Sequence, residues 1–160
     1  MTPSATPSAT SPASAPAIAP ATASDATTPA AAPAPRQGRL TTHVLDTVRG
    51  QPAAGMALAL YVREADPKSA LGEPWQLLRQ AVTNADGRVD GPLLQGEALQ
   101  PRQYRLVFEV EAYFRAQGVS MPDVPFLTQV PLDFGIADAG AHYHVPLLVS
   151  PWAYSTYRGS

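Results

Sequence analysis

Any catalysis by this chain must rest on oxygen and nitrogen groups. It contains no cysteine, and hence no thiolate nucleophile, thiolate zinc site, iron–sulfur ligand or disulfide framework. It has three histidines, His43, His142 and His144. The last two stand two residues apart in HYHVPLLVS, and the period of two of a β-strand puts both on one face. Imidazole nitrogens suit zinc, so one reading is a metal site with two ligands from this strand and His43 as the third. The other is structural, a strand histidine held by hydrogen bonds, and it is preferred for His142, which follows Gly140 and Ala141.

Arg88 sits just after Asn84, Asp86 and Gly87, residues that tolerate the dihedrals of a tight turn. An arginine there is ordinarily a solvated charge, but a guanidinium can also clamp and polarise a carbonyl or hold an anion by paired donors. At the C-terminus Tyr154, Ser155, Thr156 and Tyr157 continue a strand pattern to within a few residues of Ser160, where chain ends normally fray. An ordered Ser160 would offer both a hydroxyl and a carboxylate.

The elements that must carry these groups are mostly strands. Arg39 to Asp46 alternates, with Leu40, Thr42 and Val44 on one face and Arg39, Thr41, His43 and Leu45 on the other. MALALYVR and Trp75 to Thr83 read as two further strands, GPLLQ as a short one, and QYRLVFEV as one with Tyr104, Leu106 and Phe108 on a common face. ADPKSALGEP reads as a turn-rich connection. In VEAYFRAQ the period changes, because Val110, Tyr113 and Phe114 fall at i, i+3 and i+4, and a brief helix ending at Gly118 is expected. PFLTQVPLDF, HYHVPLLVS and YSTYRGS bring the count to seven or eight strands and one short helix. That is the pattern of an all-β antiparallel sandwich, since a parallel α/β sheet would need several crossover helices.

Composition divides the chain. Residues 1–35 are Ala, Pro, Ser and Thr except for Met1, Ile18 and Asp25. They offer almost no large apolar side chains to offset the entropy of ordering, so this segment is expected to be a disordered tail and residues 36–160 the single folded domain. The tail lacks the basic and continuous apolar regions of a signal peptide, no stretch reaches transmembrane length, and the terminal GS is not a peroxisomal address, so a cytoplasmic location is expected. Against 13 acidic groups stand 11 basic ones, which provides no electrostatic footprint for nucleic acid or for an anionic membrane.

Three stretches together resemble the 5-hydroxyisourate hydrolases, the transthyretin-related enzymes of urate breakdown. They are LTTHVLDT with GQPAAGM at Leu40 to Met56, TNADGR at Thr83 to Arg88, and HYHVPLLVSPWAYSTYRGS from His142 to Ser160. The resemblance covers Arg39 to Ser160 and is most specific in the final YRGS after YHVPLL. It implies a transthyretin-like β-sandwich assembled as a homotetramer, with sites in the channel where dimers meet. It also implies a catalytic set of His43, Arg88, His144 and Ser160, with Tyr157, Arg158 and Gly159 joining His43 and Arg88 around the substrate. The implied reaction opens the N1–C6 amide of 5-hydroxyisourate to give 2-oxo-4-hydroxy-4-carboxy-5-ureidoimidazoline, with no metal or organic cofactor. One histidine would act as general base on water, Arg88 would stabilise charge on the attacked carbonyl, and Ser160 would orient water or substrate. A covalent serine route is less attractive, because no serine–histidine–carboxylate pattern accompanies the terminal serine. Transthyretin itself lacks this set, so a non-enzymatic small-ligand carrier is the alternative from another class. The long tail, the ADPKSALGEP connection and Trp152-Ala153 depart from the family pattern without touching a matched catalytic position.

Overall fold

The computed structural model describes residues 37–64 and 75–159. The expected tail at 1–35, the ADPKSALGEP connection and Ser160 lie outside the described residues. Alternating sequence produces alternating burial along the first strand, β1 (Arg39–Asp46), where Leu40, Thr42, Val44 and Asp46 are buried and the intervening side chains are not. The other strands are β2 (Gln51–Pro52), β3 (Ala57–Arg63), β4 (Trp75–Val82), β5 (Leu94–Gln95), β6 (Gln103–Phe108), β7 (Val130–Gly135), β8 (His142–Val149) and β9 (Tyr154–Thr156). One helix, α1 (Val110–Ala116), and a single 3₁₀ turn at Gly96–Ala98 complete the set. The readings of β3, β4, β6 and α1 hold to within a residue or two. The short strand expected in GPLLQ is the two-residue β5, and the strand beyond those expected is the two-residue β2; both flank the edge of β1.

Two sheets face one another, ordered β2-β1-β8-β9, with β5 also on β1, and β4-β3-β6-β7. Their inner faces meet through Leu40 and Val44, Leu58 and Leu60, Tyr104, Leu106 and Phe108, Val130, and Leu147 and Val149, all buried. Each large apolar side chain so enclosed contributes roughly 1.5–3 kcal/mol. The antiparallel expectation holds for every pair except one: β1 and β8 run parallel, in register from Arg39↔His142 to Asp46↔Val149. A parallel pair requires a long crossover, and here the whole second sheet and α1 lie in the stretch between Asp46 and His142. No crossover helix is needed.

The helix buries Val110, Tyr113 and Phe114, the expected face, and is tied to the end of β1 by a polar contact. The Tyr113 hydroxyl donates to Asp46 Oδ2 at 3.1 Å, while Asp46 Oδ1 accepts from the backbone N–H groups of Val48 at 2.9 Å and Arg49 at 3.1 Å. Asp46 is fully buried, so these donors offset its desolvation. Burial and the neighbouring carboxylate push the Tyr113 phenol up to about 12, and it stays a donor throughout the physiological range. Tyr113→Phe removes that donor without disturbing the ring, and is expected to cost about 1–3 kcal/mol. The readout is a lower urea midpoint at unchanged slope; an unaltered midpoint would show that the bond contributes nothing.

Candidate active site

The outward side chains of β1 and β8 form the floor. Because the strands are in register, Arg39 stands opposite His142 and Thr41 opposite His144. The second pair is bonded, Thr41 Oγ1 lying 2.9 Å from His144 Nδ1. On the buried side the next residue locks the same register, with Thr42 Oγ1 donating to the Val145 carbonyl at 2.7 Å. His43 is the next outward residue along β1.

Arg88 arrives on the opposite edge of β1 through the expected turn. Asn84 organises it, its Oδ1 accepting from the N–H groups of Asp86 and Arg88 at 3.0 and 3.1 Å. Gly87 then passes close enough for the Val44 N–H to donate to its carbonyl at 2.9 Å. It has φ +69°, and a Cβ there would lie 2.4 Å from the Val44 carbonyl oxygen, so only glycine fits. The next residue bridges to β1 as His43↔Arg88. The Arg88 guanidinium has no acceptor among the described residues.

The C-terminal segment closes the other edge. β9 pairs antiparallel with β8 as far as Leu147↔Thr156, where Pro146 interrupts the ladder because it has no N–H to donate. Thr156 Oγ1 caps the Pro146 carbonyl at 2.8 Å, and pairing resumes as His144↔Gly159, with Gly159 N–H donating to the His144 carbonyl at 2.8 Å. A Cβ on Gly159 would lie 3.0 Å from both Cβ and Cδ2 of His144. The glycine is therefore what lets this imidazole lie against the terminal strand.

A crevice of about 290 Å³ results, lined by Arg39, Thr41, Arg88, His142, Tyr143 and His144. His43 does not line it. Its Nε2 is buried and makes no hydrogen bond. Burial, then the Arg88 charge, holds His43 below its ordinary value, against the opposing effect of Asp86. Burial, Arg88 and His43, in that order, hold His144 low as well. Both imidazoles are therefore neutral near pH 7, and a neutral imidazole beside a guanidinium can take a proton from water while the cation stabilises an oxyanion.

Of the residues singled out in the sequence, the structure brings together His43, Arg88, His144 and the backbone of Gly159. Tyr157, Arg158 and His142 behave differently. Arg158 lies 5.0 Å over the Tyr143 ring and, with Tyr157, lines a separate cavity of about 350 Å³ bounded by β7 and β9. His142, expected to be a hydrogen-bonded structural side chain, is exposed and makes no hydrogen bond among the described residues; it lines the crevice instead. Among the described residues no group of three or more His, Cys, Asp or Glu is placed to hold a metal ion. Thr41 and Arg39, which the sequence motifs do not single out, also line the crevice, and their place on the His43 face of β1 is the available signal.

Residues 40–159 match the model of the HIUase/Transthyretin family. A curated relative, 5-hydroxyisourate hydrolase 2 of Rhizobium meliloti, is 55% identical over 125 residues, which is 78% of this chain and 98% of that one. The crystal structure of (S)-allantoin synthase is similar with a TM-score of 0.70 and 45% identity over 78% of this chain, which spans only 44% of that protein. Sea bream transthyretin in complex with thyroxine is similar with a TM-score of 0.63 and 29% identity, covering 76% of this chain and 94% of that one.

The electrostatics generate two expectations. In a proton-NMR titration both His43 and His144 should protonate below 6.5, their ordinary value. The unfolded chain then takes up protons before the folded one, so these groups contribute stability that erodes as pH falls from about 6.5 through the folded values. A midpoint above 6.5 for either would contradict the burial assigned to it. Gly159→Ala should push the His144 ring outward and raise its midpoint towards 6.5, leaving that of His43 in place. Equal movement of the two would indicate a general loosening rather than this contact.

Proposed function

This chain belongs to the HIUase/Transthyretin family, and we propose that it is a 5-hydroxyisourate hydrolase acting in urate catabolism. The observation that carries the reading is the convergence, from three separate parts of the chain, of two neutral histidines and an arginine that has no acceptor among the described residues. Backbone shape does not decide it, because a thyroxine-binding transthyretin has a similar fold. Chemistry does: a carrier of apolar ligands needs an apolar lining, whereas this crevice presents two arginines, two histidines and a threonine.

One of the two neutral imidazoles, His43 or His144, takes the proton of the attacking water. It is the general base, accepting a proton as water adds to the amide carbonyl, a role worth about 10²- to 10⁴-fold. Arg88 faces the charge that develops on the carbonyl oxygen. The other imidazole donates towards the leaving nitrogen, and Thr41 Oγ1, 2.9 Å from Nδ1 of His144, orients the His144 ring. Ser160, next to Gly159, orients water or substrate. Tyr157 and Arg158, facing the other cavity, support the terminal strand rather than touch the substrate.

The same reading includes a homotetramer. The site lies on an open sheet face, and Trp152, Tyr154 and Tyr157 leave 59%, 47% and 59% of their surface exposed nearby in the chain, the kind of aromatic area that copies of a chain cover on assembly. Among the described residues no helix is long and apolar enough to cross a membrane, and the reading places the enzyme in the cytoplasm.

The deciding measurement is the ultraviolet decay of 5-hydroxyisourate freshly made from urate with urate oxidase, compared with spontaneous decay. The protein should accelerate it. Arg88→Ala and His43→Ala should each lower kcat/KM by about 10²-fold or more while remaining folded. No acceleration by the folded wild-type protein would favour the carrier, and near-normal turnover in Arg88→Ala would remove that residue from the mechanism.

A further inference from the structure

Along β1 the outward residues run Arg39, Thr41, His43, with Arg88 bridged to the last of them. Two residues along a strand span about 6.6 Å. The Thr41–His144 pair thus lies between two guanidiniums, Arg88 at the His43 end and Arg39, opposite His142, at the other. Arg39, Arg88, His142 and His144 line one crevice with no acidic residue in its lining. Five other arginines find acceptors, Arg49 on Gln117, Arg63 on Gln103, Arg79 on the Pro92 carbonyl, Arg105 on Asp133 and Arg115 on Glu111, and Arg158 lies over the Tyr143 ring. Arg39 and Arg88 have none among the described residues. Two guanidiniums without an acceptor among the described residues, in one crevice, suit a ligand that brings its own negative charge.

We propose that Arg39, with His142 beside it, forms a carboxylate-binding subsite distinct from the Arg88 oxyanion site. The proposal rests on the amide-hydrolase reading and deepens it. In that reaction the water oxygen bonds to the carbonyl carbon, the C–N bond breaks with its electron pair going to nitrogen, and one water proton ends on that nitrogen. The carbonyl carbon becomes a carboxylic acid, which ionises at neutral pH and releases its proton to solvent. A carboxylate therefore exists at the end of the reaction where an uncharged amide stood before. Arg88, bridged to His43, serves the attack; Arg39, on the far side of His144, takes the carboxylate through its paired donors, and His142 adds a hydrogen bond. Because Arg39 is exposed, this contact is a holding and steering interaction and not a source of the chemical rate.

The test uses two stable planar probes, orotate, which carries a carboxylate on a cyclic ureide ring, and uracil, the same ring without it. In the wild-type full-length protein orotate should bind at least tenfold more tightly than uracil by titration calorimetry. Arg39→Gln should weaken orotate about tenfold and leave uracil unchanged, and Arg39→Lys should restore part of the difference. On 5-hydroxyisourate the loss in Arg39→Gln should fall on KM, in contrast to the kcat loss in Arg88→Ala. Equal affinity of the wild type for both probes, or an unchanged orotate affinity in Arg39→Gln, would overturn the subsite. Calorimetry needs no turnover, so a protein that distinguishes the probes through Arg39 yet leaves 5-hydroxyisourate untouched would keep the subsite and sink the hydrolase reading instead.

Discussion

The parallel pairing of β1 with β8 places Thr41 against His144 and Arg39 against His142, and the remainder of the site is arranged around those rungs. Its register is held on both faces. Outside, Thr41 bonds the His144 ring; inside, the Thr42 hydroxyl reaches the Val145 carbonyl while Leu40 and Val44 are buried in the common core. A slip of one residue would turn the apolar set outward and the histidines inward. Site geometry and core packing are therefore enforced by the same contact, and Asp46 at the strand's end ties that contact to α1.

The edges of this pair are completed by short, irregular pieces whose sequences are specialised for close approach. One edge receives Arg88 from a turn that only a glycine at 87 allows, and the other receives the terminal segment against His144, where a glycine at 159 lets the imidazole lie close, a Cβ there falling 3.0 Å from its Cβ and Cδ2. Pro146 is tolerated in β8 because its missing N–H falls on the β9 side, where the Thr156 hydroxyl caps its carbonyl, and not in the pairing with β1. Irregularity at these edges brings a cation and a chain end onto an otherwise regular sheet.

Similar backbones serve 5-hydroxyisourate hydrolases and a transthyretin that binds thyroxine, so function resides in what the sheet presents. Here burial first, and then Arg88 acting on both histidines and His43 acting on His144, lowers the proton affinity of the imidazoles. The result is a pair of neutral imidazoles at neutral pH in an electropositive crevice. That combination suits a reaction which needs proton acceptance and donation together with stabilisation of negative charge.

Period-two alternation in RLTTHVLD, QYRLVFEV and HYHVPLLVS already told which faces are buried, and the i, i+3, i+4 spacing of Val110, Tyr113 and Phe114 told where the helix lies, because both depend on local backbone geometry. The motifs around His43, Arg88 and the terminal YRGS marked the chemistry and the family. Sequence did not reveal that β1 and β8 run parallel, that Arg39 and His142 share the crevice, or that Arg158 turns to the opposite face. Those facts depend on which distant strands pair and in what register. That is decided when the whole core closes, since only then do residues a hundred positions apart in the chain come within hydrogen-bonding distance.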